Sequence, residues 1–249
     1  MSNKKLLTAA LATSMTAGVF GAAQATASDI EVSANVALTS DYRFRGISQS
    51  DESPAIQGGF DIGFANGIYV GTWGSSVDFD VNQVAGEDSA DGSLELDYYV
   101  GWAGNIGESD VGIDVGYLYY DYPGDEGGFG DYQEFYVGLS YMDASVGVAY
   151  SDDYYGETDE FWYIYGDYSF ALSDAVSIGL HIGYNMLEEN GGFLATDEDA
   201  YIDYSVSVTY AVAGVDLSLA LVGTDLDDED AFGTDWADDT AVFTISKSM

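Results

Sequence analysis

The sequence predicts an all-β fold, a transmembrane antiparallel up-and-down β-barrel of about 12 strands. Three observations predict it. Apolar and polar residues alternate with a period of two along almost the whole chain, and helical periodicity is nowhere competitive. The links between alternating runs are by turns short and long, and the long ones are rich in Asp, Glu and Gly. The apolar faces carry aliphatic residues in the middle and large aromatics at both ends, as a lipid-facing wall requires.

The chain opens on a targeting segment. Lys4 and Lys5 precede an almost wholly small or apolar run over residues 6–23, and two A-x-A signals end at Ala25 and Ala27. Residues 1–27 are therefore expected to be a cleaved signal peptide, and residues 28–249 the barrel. The alternative reading, a membrane anchor helix, lacks a second apolar stretch, and none of 18 residues occurs further on.

The first strand is expected over 30–45: Ile30, Val32, Ala34, Val36 and Leu38 alternate with Glu31, Ser33, Asn35, Ala37 and Thr39. Carried on, this register turns Tyr42 and Phe44 toward lipid and Asp41, Arg43 and Arg45 toward the lumen, near the outer mouth. Strands 55–65 and 68–77 flank Asn66-Gly67, a two-residue hairpin signal. Strands 93–103 and 110–120 are joined through 104–108, and strands 132–141 and 145–151 through Met142-Asp143. Strands 161–171 and 176–185 meet at Ser173-Asp174, strands 200–212 and 215–223 at Ala213-Gly214, and 240–249 is the last. The run Val176, Ile178, Leu180, Ile182, Tyr184 against Ser177, Gly179, His181, Gly183, Asn185 is typical of them.

Long links cover 46–54, 78–92, 121–131, 152–160, 186–199 and 224–239. Short turns on one side and long acidic loops on the other match periplasmic turns and extracellular loops. An even strand count allows closure, which removes edges that lipid would not tolerate. On the lipid face one girdle is expected near the turns, from Phe64, Tyr69, Trp102, Tyr141, Phe170 and Tyr210. A second is expected near the loops, from Tyr42, Phe44, Trp73, Tyr119, Tyr150, Trp162 and Tyr184. A secreted β-sandwich would share the alternation but does not require two girdles.

Composition excludes other classes. The 249 residues hold 44 acidic and 5 basic residues, a formal charge of −39 that becomes −41 once Lys4 and Lys5 are removed. A surface of that sign excludes nucleic acid as a partner. There is no cysteine, hence no disulfide and no lipid anchor through one. No cofactor is expected: there is no phosphate-cradling loop or zinc spacing, and the glycines of 127–130 lack a strand-to-helix context. The acidic loops match no calcium-binding loop pattern and are expected to screen cations diffusely. The lone histidine, His181, faces inward, where a lipid-facing hydrolase site could not use it, so no enzyme is expected.

Inward positions supply carboxylates at Asp41, Asp61, Glu95, Asp97, Asp110, Asp114, Glu134, Asp167, Asp203 and Asp216. Arg43 and Arg45 are the only two arginines, and they stand among these acids either as a positive spot at a constriction or as ion-paired fasteners. Candidate partners are Asp41, Asp51, Glu52, Asp238 and Asp239.

The block SDYRFRGISQSDESPAIQGGFDIGF, residues 40–64, followed by GIYVGTWGSSVDF, closely resembles the opening of a bacterial family of porins labelled TorF-type and also Gcw_chp. Asp41-Tyr42, Phe44-Arg45-Gly46, Ser48-Gln49 and residues 54–58 carry the resemblance, and the ending VFTISKS agrees with it. It implies an outer-membrane barrel acting as a pore, with outer-membrane lipid as its surroundings and no named substrate. The inward Gly, Ser, Thr and carboxylates lead to passive passage of small hydrophilic solutes, with cations preferred. The pore candidates are Arg43, Arg45, Asp41, Asp61, Glu95, Asp97, Asp114, Glu134, Asp167 and Asp203. The alternative is a closed barrel acting as a structural or surface-interaction protein through its acidic loops, which the inward Phe161, Tyr163 and Tyr165 favour. An oligomer is compatible with the pattern, though no position marks a protomer interface.

Overall fold

The computed structural model describes residues 30–79, 93–124, 129–188, 192–194 and 199–249. The signal peptide expected at 1–27 and most of the loop expected at 78–92 lie outside these residues, as does part of the glycine run at 127–130.

Twelve of the strands form one closed antiparallel barrel: β1 (Ile30–Thr39), β4 (Ala55–Phe64), β5 (Ile68–Ser76), β6 (Leu94–Asn105), β7 (Gly112–Asp121), β8 (Tyr132–Tyr141), β9 (Ala144–Ser151), β10 (Phe161–Ala171), β11 (Val176–Met186), β12 (Ala200–Val212), β13 (Val215–Thr224) and β14 (Thr240–Ser248). Each pairs with its neighbours in sequence, and β1 closes the ring against both β14 and β4, so no edge remains. Two residual strands, β2 (Arg43–Phe44) and β3 (Ile47–Ser48), pair only with each other.

The outside of the barrel is apolar. Ile56, Phe60, Val137, Ile182, Val206, Leu219 and Leu221 are exposed there, and their band is bounded by Phe64, Trp102, Tyr141 and Tyr210 near the turns and by Trp162 and Tyr184 near the loops. So much apolar area has no use in water. A closed barrel with an aliphatic belt between two aromatic girdles is an outer-membrane protein. At the loop-side girdle the tyrosine hydroxyls reach the acidic loops: Tyr119 donates to Asp131 at 3.1 Å, Tyr150 to Glu160 at 3.1 Å and Tyr204 to Asp239 at 2.7 Å.

Several expectations are corrected. The first strand does not run to residue 45; it ends at Thr39, and the chain turns into the lumen. Tyr42 and Phe44 consequently do not join the outer girdle: they are 3% and 8% exposed, inside the barrel. Tyr69 and Trp73 also face the lumen, because β5 pairs Tyr69 with Gly101 and Trp73 with Asp97, both inward positions. The Asn66-Gly67 turn is a three-residue loop, 65–67, in which only Gly67 takes a left-handed φ, of 88°. Asp110 is exposed in a turn, since the bond from Ile106 N to Val111 O closes residues 106–111 and delays β7 to Gly112.

Tyrosines line the middle of the lumen in a regular way. Tyr69 lies over Gly101, Tyr99 over Gly71, Tyr136 over Gly116 and Tyr165 over Gly147, each a cross-strand pair in which the ring fills the space a Cβ would need. The inward alternation of Gly with Tyr therefore packs the wall flat and leaves the hydroxyls pointing inward, where Tyr69 and Tyr99 bond carboxylates and Tyr136 bonds Tyr69.

Candidate functional site

The site is built around the segment between β1 and β4. Asp41 collects the chain as it leaves the sheet: its carboxylate accepts from Ser48 Oγ at 2.7 Å, Ser50 Oγ at 3.1 Å and Arg43 Nε at 2.5 Å. Bonds from Tyr42 N to Ser50 Oγ (2.9 Å) and from Gln49 N to Tyr42 O (2.7 Å) pull the two arms together. Phe44 then faces Ile47 across the two-residue turn Arg45-Gly46, with φ of 48° and 85°. Two consecutive left-handed residues make a type I′ turn, whose twist suits a tight hairpin. Gly46 takes that conformation freely. Arg45 does so at a cost of about 1–3 kcal/mol, which its surroundings must offset.

They do so through charge and rings. Arg45 Nη2 lies 2.7 Å from Glu134 on β8, and Nη1 donates to the Tyr154 hydroxyl at 3.1 Å. Its guanidinium sits 4.3 Å from the ring centre of Tyr163, 4.7 Å from Phe44 and 4.8 Å from Phe161. Burial alone would lower the arginine's pKa, but Glu134 outweighs it and the pKa stands well above the ordinary value. Burial, then Arg45 and Glu134, act on Tyr154 in the loop 152–160, whose pKa is pushed up to about 12, so its hydroxyl keeps its proton. Arg43 works at the opposite end of the hairpin. It pairs with Asp41 and, at 3.1 Å, with Glu52, and donates to the backbone carbonyls of Gly46, Trp236 and Asp238. Trp236 Nε1 answers with a bond to Asp51 at 2.9 Å.

The hairpin thus plugs the outer half of the barrel. Tyr42, Phe44 and Ile47 join Tyr120, Tyr132, Tyr154, Phe161, Tyr163, Tyr201 and Trp236 in one aromatic-rich core. Outside it, a cavity of about 350 Å³ opens among Phe79, Tyr122, Tyr155, Phe193 and Phe232.

All ten pore candidates face inward, in three groups rather than one ring. Arg43, Arg45, Asp41, Glu95, Asp97 and Glu134 surround the hairpin. Asp61 and Asp114 lie deeper and accept from Tyr99 at 2.5 Å and Tyr69 at 2.6 Å; Tyr69 also bonds Tyr136. Asp167 and Asp203 clamp His181 from both sides, at 2.7 Å to Nδ1 and 2.9 Å to Nε2, and Asp203 also receives Asn185 at 2.7 Å and Tyr163 at 3.2 Å. The Tyr163 hydroxyl also lies 2.9 Å from Nε2, so the ring is held either as the imidazolium donating to both aspartates or as the Nδ1–H tautomer accepting from Tyr163. Of the partners expected for the arginines, Asp41 and Glu52 are found as ion pairs; Asp51 accepts from Trp236, Asp238 meets Arg43 through its backbone carbonyl, Asp239 accepts from Tyr204, and Glu134, outside the expected set, pairs with Arg45.

The residues that the sequence reading missed are the plugging aromatics Tyr42, Phe44, Trp73 and Trp236. The Arg45-Gly46 dipeptide between Phe44 and Ile47 was the available signal, since X-Gly flanked by apolar residues marks a two-residue hairpin.

Among solved structures the fold is similar to that of the NanC porin, with a TM-score of 0.53 and 11% identity over 87% of this chain and 98% of that one. It is similar also to the KdgM porin, solved in complex with disordered oligogalacturonate, with a TM-score of 0.51 and 9% identity over 87% of this chain and 96% of that one. Identities this low show a shared barrel fold. No curated protein matches the chain in sequence. The model of one family, described as bacterial protein of unknown function, matches residues 23–249, and on that match the chain belongs to Gcw_chp.

Proposed function

We propose that the protein is an outer-membrane channel for passive passage of small hydrophilic solutes, opened and shut by the β2–β3 hairpin. The observation that carries this reading is that the lumen is sealed by a separate loop element. A barrel meant to be solid can be filled by its own wall; here the wall leaves room in its outer half for a loop element, and the hairpin is seated among inward tyrosines and carboxylates. Twelve strands lie between barrels that side chains can fill and open pores of sixteen. The fold shared with two porins supports the same reading.

Cation preference is part of the proposal. The three described basic side chains of the lumen each meet carboxylates, while Asp61, Asp114 and Asp216 line the part below the hairpin without a basic neighbour among their hydrogen-bond partners. Such a lining raises the local concentration of cations. The TorF-type label, cleavage after residue 27 and small hydrophilic solutes or cations as cargo belong to the same proposal.

The second reading is a permanently closed barrel that acts through its acidic loops as a structural or surface-interaction protein. Asp97, Glu95 and Tyr163 favour it, at 0%, 1% and 1% exposure, since water does not reach that level of the docked state. Planar-bilayer recording of the full barrel, beside a variant with residues 43–48 replaced by a short Gly-Ser link, separates the two. The channel reading expects rare openings that become a steady, cation-selective conductance without the hairpin. Silence from both well-folded proteins, or anion-selective reversal potentials, would overturn it.

A further inference from the structure

Two carboxylates lie directly under the hairpin with no cation among the described residues paired to them. Glu95 and Asp97 both face inward on β6, with Cα atoms about 6.6 Å apart along the strand. Glu95 receives one hydrogen bond, from the Tyr42 hydroxyl at 3.0 Å. Asp97 receives none: both of its oxygens are buried and unpartnered. Its cross-strand neighbours are Trp73 and Tyr120, and the Tyr120 hydroxyl is engaged with Glu134 at 3.2 Å. Hairpin rings close over both neighbours, Tyr42 against Trp73 at 5.6 Å and Phe44 against Tyr120 at 5.8 Å.

The described basic side chains of the lumen are committed elsewhere, Arg43 to Asp41 and Glu52, Arg45 to Glu134, and His181 to Asp167 and Asp203. An ionised carboxylate with no partner in a dry site is strongly unfavourable, and a second one beside it makes matters worse. A docked hairpin therefore requires positive charge from outside the chain, or a proton.

We propose that Glu95 and Asp97 bind one divalent hard cation of the calcium type, and that the docked hairpin is the lid of this site. Two carboxylates cancel a 2+ charge. Calcium takes six to eight oxygens in irregular geometry, so the hydroxyls of Tyr42 and of Ser75, which faces Glu95 from β5, and water carried in with the ion before the hairpin docks suit it. The ion would tie the wall to the lid from beneath, as Arg45 does from the tip. The site does not require conduction, and a permanently closed barrel would hold the ion equally well.

The test uses the full barrel, refolded in detergent, freed of metal with a chelator and titrated with Tb³⁺ and Ca²⁺. Trp73 and Tyr120 flank Asp97, so Tb³⁺ bound there takes up their excitation. The expected result is luminescence saturating at one ion per barrel, reversed by Ca²⁺, with a rise in unfolding temperature on Ca²⁺ addition. Asp97→Asn and Glu95→Gln should each weaken binding at least tenfold. A loop control, Asp228→Asn with Asp235→Asn and Asp238→Asn, removes the exposed cluster whose carboxylates lie within 4.8 Å of one another, and should leave the site intact. The proposal is overturned if the loop control abolishes the signal while Asp97→Asn retains it. It is equally overturned if wild type shows no metal effect and Asp97→Asn is the more stable protein, the mark of a shared proton. Selectivity recorded in chelator tests the channel reading separately, so the failure of one leaves the other distinguishable.

Discussion

Arg45→Asn isolates the charge of the plug from its turn. Asparagine before glycine is the favoured pair for a type I′ turn, so the hairpin keeps its geometry and sheds the strain of arginine at φ 48°. What it loses is the ion pair with Glu134 at 2.7 Å, the bond to Tyr154 and three ring contacts within 5 Å. Glu134 is 2% exposed, and removing one partner of such a pair costs about 3–5 kcal/mol, because the other charge is left dry. That cost falls on docking rather than on the barrel, since lifting the hairpin wets Glu134 without breaking any barrel strand pairing. Relief of about 2 kcal/mol of turn strain offsets part of this, and the remaining cost of about 2 kcal/mol, at about 1.4 kcal/mol per decade, should raise the open fraction roughly thirtyfold. The assay is single-channel recording of open probability in planar bilayers, with heat-induced unfolding of the barrel followed in parallel. Glu134→Gln added to Arg45→Asn should restore much of the closure, because the stranded charge is gone. The reasoning is refuted if Arg45→Asn leaves open probability within threefold of wild type while the barrel itself melts earlier, which would make the pair a fastener of the wall.

Three further outcomes test the rest of the structure. Gly116→Ala forces a methyl group against the Tyr136 ring, whose hydroxyl is held by Tyr69, and should cost about 1–3 kcal/mol in reversible urea unfolding. Val206→Arg, at the middle of β12 on the lipid face, should cost about 2–4 kcal/mol in lipid vesicles and much less in detergent. Asp61→Asn together with Asp216→Asn, measured in the hairpin-deleted barrel, should move the reversal potential in a salt gradient toward zero; an unchanged potential would place the cation preference in the loops instead.

Much of this architecture is legible in the sequence because a barrel wall obeys one local rule. Inward and outward residues must alternate wherever one face meets lipid, so the strand ends fall within a few residues of where the alternation stops; only the first strand, read to 45, ran well past its end at Thr39. The parity that puts Ile30, Val32, Val36 and Leu38 outside holds at every paired residue of β1. The rule fails where the chain leaves the sheet. Tyr42, Phe44 and Arg45 continue the alternation in letters, but Asp41 is engaged by Ser48 and Ser50, residues seven and nine places on, and this turns the chain inward. Period-two patterning cannot tell a wall strand from a small hairpin with one face on an aromatic core. Tyr69 and Trp73 were misplaced for a related reason: β5 opens Ile68-Tyr69-Val70, bulky on both faces, and only its register against Gly101 and Asp97 decides which side is the lumen. His181, Asp167 and Asp203 were each legible as inward residues, but not their meeting, since the strands carrying them were placed without relative register.

The two arginines also do different work, and the difference explains why so acidic a chain keeps them together. A neutral hairpin could not displace water from the wall around Glu134 without leaving that charge dry. Arg45, at the tip, neutralises the wall: its ion-pair partner lies on β8. Arg43, at the base, neutralises and gathers loops: its partners are Asp41, Glu52 and the carbonyls of Trp236 and Asp238. Loss of Arg43 should therefore loosen the last loop over the hairpin, while loss of Arg45 unseats the hairpin from the barrel. Both arginines are buried, so salt screens their pairs weakly compared with the exposed carboxylates of the loops. Raising ionic strength should accordingly erode the attraction of cations to the mouth long before it loosens the plug, which makes selectivity and closure separable in a single salt titration.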